Sequence, residues 1–221
     1  MIRLVMAGLL VGICGLSQAA LAPSVPSEPD RRALTHAVNE YLVDHGDLCI
    51  GKFSWPRVVT PEDRENHSND AVQLPVLEQL GLVESTEVPS PAPEGATTDA
   101  PQAEPARSYS LTAKGRRYYL QKKHITLGIH DQAVQHDADL CVARLKLDKV
   151  VKWTPPEVVH GQVETVVRYT YHVKPVDWMA DPRAREVFPV VDRIIRGEGS
   201  LLMTVTVQRQ DDHWRPVLPG Q

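Results

Sequence analysis

The chain is short of the residues that announce most kinds of chemistry. Neither GxSxG, HExxH nor a glycine-rich phosphate loop occurs, so the usual signatures of hydrolases, zinc proteases and nucleotide binders are missing. Ser54, between Phe53 and Trp55, reads as packing rather than as a nucleophile elbow. Three cysteines are present, none in a CxxC pair or in a Cys/His cluster of zinc-site spacing. A net charge of −4 gives no bulk attraction for a polyanion. Long apolar runs are missing too, and beyond the first twenty or so positions none approaches the ~20 residues of a spanning helix. No catalytic residue, cofactor, nucleic-acid partner or membrane span of the mature chain is expected.

What is present begins at the N-terminus. Arg3 supplies a positive start, Leu4 to Leu16 a short apolar run, and Ser17-Gln18-Ala19 small residues at cleavage positions. Residues 1–19 therefore read as a cleavable signal peptide and predict a periplasmic or secreted protein. A cut after Ala22 would place Pro23 directly beyond the scissile bond, which favours Ala19. Taking Arg3 from a net charge of −4 gives −5 for the mature chain. Cys14 also leaves, so Cys49 and Cys141 remain as a pair in an oxidising compartment, where such pairs bridge. A reactive thiol or a soft-metal ligand is the alternative use.

Ala33, Leu34, Ala37, Val38, Tyr41 and Leu42 recur in pairs at every fourth position, which predicts a helix over about Pro29 to His45, with Ser27 as its cap and Gly46 at its end. Thr60-Pro61-Glu62-Asp63 starts a second helical region, and Leu74, Leu77 and Leu80 mark a third that stops at Gly81. Residues 82–88 and 108–111 read as an antiparallel pair. Between them, Pro89 to Ala106 holds proline, alanine and acids with almost nothing bulky and apolar. Such a segment buries too little surface to offset its ordering entropy. A helix is expected after Thr112, and residues 124–139 read as a linker.

The period then changes to two. Cys141, Ala143, Leu145, Leu147, Val151 and Trp153 share one face of a strand, and Val163, Thr165, Val167, Tyr169, Tyr171 and Val173 one face of the next. A helical segment over about Asp181 to Arg196, interrupted at Pro189, precedes two more strands at Leu201 to Val207 and His213 to Leu218. Residues 140–221 are thus expected to form an antiparallel ββαββ sheet with a helix packed on it. The fold class is α+β.

The element order over residues 27–123, together with Tyr109-Ser110-Leu111-Thr112-Ala113-Lys114-Gly115-Arg116, resembles a winged helix-turn-helix of the PadR or MarR type. The resemblance implies that residues 89–106 form the tip of an overlong wing. It also implies a recognition helix over Ser68 to Leu80, yet that segment holds Asp70 and Glu78 and no Lys or Arg. Phosphate contacts need cations, so this module reads as a scaffold. Leu140-Cys141-Val142-Ala143, Trp153-Thr154-Pro155-Pro156, Tyr169-Thr170-Tyr171 and Asp177-Trp178 resemble a set of exported proteobacterial proteins of uncharacterised function, a likeness that implies no activity.

Three further groups were weighed. His124, His130 and His136 lie six apart, with Asp131, Asp137 and Asp139 beside them, ligand types that suit zinc or copper, but the spacing fits no helix face. His172 falls on a polar strand face near Glu164 and Arg168, which reads as solvated. Trp153, Trp178 and Trp214 read as cover for the sheet before they read as a pocket. The chain is expected to be an exported, non-enzymatic binding or adaptor protein of the bacterial envelope that recognises another protein. An immunity-type inhibitor of a secreted toxin and a periplasmic metal-binding protein are the rivals.

Overall fold

A computed structural model of the chain describes residues 28–90, 104–127 and 132–217. The expected signal peptide and most of the expected wing tip lie outside the described residues. Helix α1 spans Arg31–His45 and is capped by Asp30, not Ser27: the Asp30 carboxylate accepts from the Ala33 amide at 2.7 Å. Its paired apolar positions Leu34, Ala37, Val38 and Leu42 are buried as the periodicity requires. Each large side chain among them contributes roughly 1.5–3 kcal/mol by leaving water.

That apolar face does not pack on the neighbouring N-terminal elements. It covers Val150, Val167, Tyr169, Val205, Val207 and Trp214 of the large sheet. Strand β1 (Asp47–Cys49) joins the same sheet. The module expected over residues 27–123 therefore gives its first helix and first strand to the C-terminal half. Helix periodicity reports which face is apolar but not which surface will cover it.

What remains between is a small three-stranded sheet with two helices. Strands β2 (Arg57–Val59), β3 (Val83–Val88) and β4 (Ala106–Leu111) pair in the order β2-β4-β3. Helix α2 (Pro61–Glu65) starts with a reciprocal cap between Thr60 and Asp63, and α3 (Asn69–Gln79) is capped by Ser68 and tolerates Pro75 within it. Leu74 and Leu77 of α3 are buried with Leu82, Val83, Tyr109 and Leu111.

After Thr112 the chain makes a single 3-10 turn, Gly115–Tyr118, and the two-residue strand β5 (Tyr119–Leu120), where a helix was expected. A Cβ on Gly115 would overlap the Leu82 carbonyl oxygen, so the turn packs directly on the backbone that leads into β3. The expected linker is also structured: β6 (His124–Leu127) and β7 (Ala133–His136) form an antiparallel hairpin.

The large sheet contains β8 (Asp139–Trp153), β9 (Glu157–Val159), β10 (Gln162–Pro175), β11 (Met203–Gln210) and β12 (His213–Pro216). Its main order is β1-β8-β10-β11-β12, all antiparallel, with β5 against the start of β8 and β9 against the start of β10. A 3-10 turn (Asp177–Ala180), α4 (Pro182–Val187) and α5 (Pro189–Arg196) fill the connection from β10 to β11. This is the expected ββαββ order.

On β10 the expected face holds, with Thr165, Val167, Tyr169 and Tyr171 all buried. On β8 it fails at Val151, which is exposed while Val150 is buried. Irregular pairing between β8 and β10, where Tyr171 faces Leu147 but Thr170 faces Lys149 and Tyr169 faces Val150, inserts extra residues and shifts the alternation. The start of β8 meets both halves: Leu140 and Val142 join the small sheet, Trp178, Met179 and Phe188 in a second core.

Candidate functional site

Cys49 and Cys141 form a disulfide with an S–S distance of 2.02 Å. They are register partners on adjacent strands of one sheet. The bridge thus lies inside the large sheet rather than stapling one module to another, because β1 has already left the N-terminal module.

The histidine group divides. His124 and His136 are register partners across β6 and β7, while His130 lies outside the described residues. The His136 ring stacks on Phe53 with centroids 3.6 Å apart. Asp139 is buried and accepts from the backbone amides of Gly51 (3.1 Å), Lys52 (2.7 Å) and Leu140 (2.7 Å). It ties the segment after β1 to the start of β8. Asp137 accepts from Gln135 at 3.2 Å, and among the described residues no cluster of three or more His, Cys, Asp or Glu side chains is placed to hold a metal ion.

His172 has neighbours that the strand pattern did not supply. Its Nε2 lies 3.5 Å from Asp148 of β8, and its Nδ1 lies 3.1 Å from Glu198, which follows α5. Asp148 also accepts from the Thr170 hydroxyl at 2.7 Å, a bond that holds its carboxyl below the usual range. Both ring nitrogens face carboxylates, so the imidazole bridges β8 and the segment after α5 on an exposed face. Trp153 and Trp214 pack into the core beneath α1, with Arg31 over the Trp153 ring at 5.2 Å. Trp178 packs edge-on to Tyr118 and Phe188 in the second core.

The arrangement with the most capacity for recognition lies where the 3-10 turn and β5 meet the ends of β8 and β10. A hollow of about 360 Å³ is floored by Tyr118, Cys141, Ala143, Pro175 and Val176, with Arg117, Arg144 and Lys174 around it. Arg117, Tyr118 and Asp177 also line a second hollow of about 460 Å³, which continues past Lys114, Trp178 and Asp181. The two hollows share Arg117, Tyr118 and Asp177 and together make one open groove along the 3-10 turn Gly115–Tyr118.

Its charges are unequally satisfied. Asp47 is nearly buried and held by Lys122 at 2.7 Å and Arg144 at 2.8 Å. Asp181 accepts from the Arg183 side chain and amide, which lower its carboxyl to about 2, so it is ionised and already engaged. Lys114 donates to the Leu80 carbonyl at 2.8 Å. Arg117 and Lys174 have no hydrogen bond or ion pair from their side chains among the described residues, and the indole Nε1 of Trp178 is buried without a partner. Unmatched donors outnumber the one unmatched acid, Asp177.

Sequence reasoning missed this groove because its walls come from five separate segments. One signal was available: between Pro105 and His130 the chain carries six Lys or Arg and no Asp or Glu. In a protein of net charge −4 that is a local reversal of sign. No protein-family model, curated protein or solved structure matches the chain.

Proposed function

We propose that the chain is an exported, non-enzymatic binding protein of the bacterial envelope that recognises another protein through the groove beside its 3-10 turn Gly115–Tyr118. The observation that carries this reading is an apolar floor flanked by two unmatched cations, Arg117 and Lys174, on a protein of net negative charge. Concave sites between packed units, mostly apolar with a few placed polar groups, are where ligands bind by default. Electrostatic complementarity then steers the encounter and sets its specificity. The disulfide and the absence, among the described residues, of a helix able to cross a membrane are compatible with export.

The small sheet with α2 and α3 serves in this reading as a winged-helix-like scaffold. Strand order β2-β4-β3 supports it. Nucleic acid is not its partner, since Asp70 and Glu78 occupy α3 where cations would be needed. The protein produced with its signal peptide and recovered with crosslinked partners from envelope fractions tests the function. A protein partner that is retained by the native chain and lost from Arg117→Glu/Lys174→Glu is expected. Retention by that variant would move the interface elsewhere, and recovery of no protein partner would remove the reading.

A further inference from the structure

We infer that the groove captures the C-terminal end of its partner polypeptide: a free α-carboxylate held by Arg117 and Lys174, with an apolar last side chain on the floor. The inference rests on the binding reading above and names what the groove would hold. Its chemistry follows from which groups are unspent. Arg144 and Lys122 are committed to Asp47, and Lys114 to a carbonyl oxygen. Arg117 and Lys174 remain, both exposed and both at the edge of an apolar surface made by Tyr118, Ala143, Pro175 and Val176. A ligand that fits must bring a negative charge directly beside an apolar group.

A chain end has that construction. Its terminal carboxylate sits one carbon from the last side chain, and a guanidinium and an ammonium both bind carboxylates through charge-assisted hydrogen bonds. Internal acidic residues carry their charge at the end of a polar side chain and leave the apolar floor uncovered. The groove's shape favours a chain end over a free small molecule. Small-ligand sites bury roughly 70–90% of what they hold, whereas this groove is open along its length and continues into the second hollow at Arg117 and Asp177. The preceding residues of an extended segment can lie there, beside Trp178.

Fluorescein-labelled hexapeptides ending in Leu, Val, Phe or Ala, each as free acid and as carboxamide, test this by anisotropy with the full mature chain. Saturable binding of at least one free acid is expected, with its amide weaker by roughly tenfold or more, the size of one charge-assisted hydrogen bond. Arg117→Ala and Lys174→Ala should weaken the acid to the level of the amide while circular dichroism stays native, and Arg64→Ala, in α2 and lining neither hollow, should change nothing. Equal binding of acid and amide overturns the carboxylate capture. So does no binding of any peptide at about 1 mM, the weak limit of useful affinity. Octanoate binding as tightly as the best peptide would replace the chain end by a free amphiphile. If the partner is lost from Arg117→Glu/Lys174→Glu but peptides show no preference for the acid, the groove remains the interface and this inference alone falls.

Discussion

Replacing Asp70 by Asn should be among the most damaging single changes in the small sheet. Lys52 is the reason. Its side chain is only 4% exposed, and its ammonium donates to Asp70 at 2.6 Å and to Gln73 at 2.7 Å. Asp70 also accepts from Arg57, at 2.7 Å from Nε. Asp70→Asn leaves the Lys52 ammonium buried with neutral acceptors only. Stranding one member of a buried ion pair costs about 3–5 kcal/mol, and the retained amide oxygen places this case near the low end. With a Tm shift of roughly 2–4 °C per kcal/mol for a chain of this size, Tm should fall by about 6–12 °C.

A double-mutant cycle with Lys52→Met isolates the cause. Lys52→Met/Asp70→Asn should be more stable than Asp70→Asn alone, with a coupling of about 1–3 kcal/mol by urea unfolding. Acid supplies an independent check. Burial would raise the Asp70 carboxyl, but the bonds from Arg57 and Lys52 outweigh it and hold it below the usual range. A folded value below the unfolded one gives stability that is present above about pH 4 and lost as pH falls further. The native chain should therefore lose stability below about pH 4, and Asp70→Asn should do so less steeply. A destabilisation under ~1 kcal/mol, or strict additivity in the cycle, would refute the stranded-charge argument.

The Cys49–Cys141 bridge closes a span of 92 residues. Cys49→Ala/Cys141→Ala should lose about 4–5 kcal/mol by denaturant unfolding in the chain-entropy account, and two free thiols in exported protein would contradict the bridge. Burial pushes the Tyr169 phenol well above its ordinary value. Stability from keeping it neutral is full below about pH 10 and lost as pH rises beyond; absorbance at 295 nm should show this phenol ionising only with unfolding, and Tyr169→Phe should flatten the alkaline loss. Replacing residues 91–103 by a short Gly-containing turn should change stability by no more than ~1 kcal/mol, because closure entropy varies slowly with length. A larger loss in melting curves would show that the segment packs. In a low-salt gel shift, double-stranded DNA should show no tight, salt-sensitive binding.

Local rules made much of this fold legible. The fourfold recurrence through Leu34, Val38 and Leu42 fixes the buried face of α1, and period-two alternation from Thr165 to Tyr171 fixes that of β10, because those patterns depend only on backbone geometry. The reciprocal Thr60–Asp63 cap and the antiparallel order of the four main C-terminal strands follow from short-range signals of the same kind. Cys49 and Cys141 could be paired by count, given the expected export.

Everything that depends on which surfaces meet stayed hidden. Whether α1 covers the small sheet or the large one is a competition between apolar faces far apart in sequence, and α1 packs on Tyr169, Val205 and Trp214 of the large sheet. Val151 was misplaced because pairing irregularities in β8 reset the alternation, and only the partner strand reveals them. Asp139 read as a neighbour of histidines until the fold gave its oxygens three backbone amides. The groove is the extreme case. Arg117 and Lys174 are ordinary surface cations in sequence, and they come to line one hollow only because the 3-10 turn lies beside the start of β8 and the end of β10.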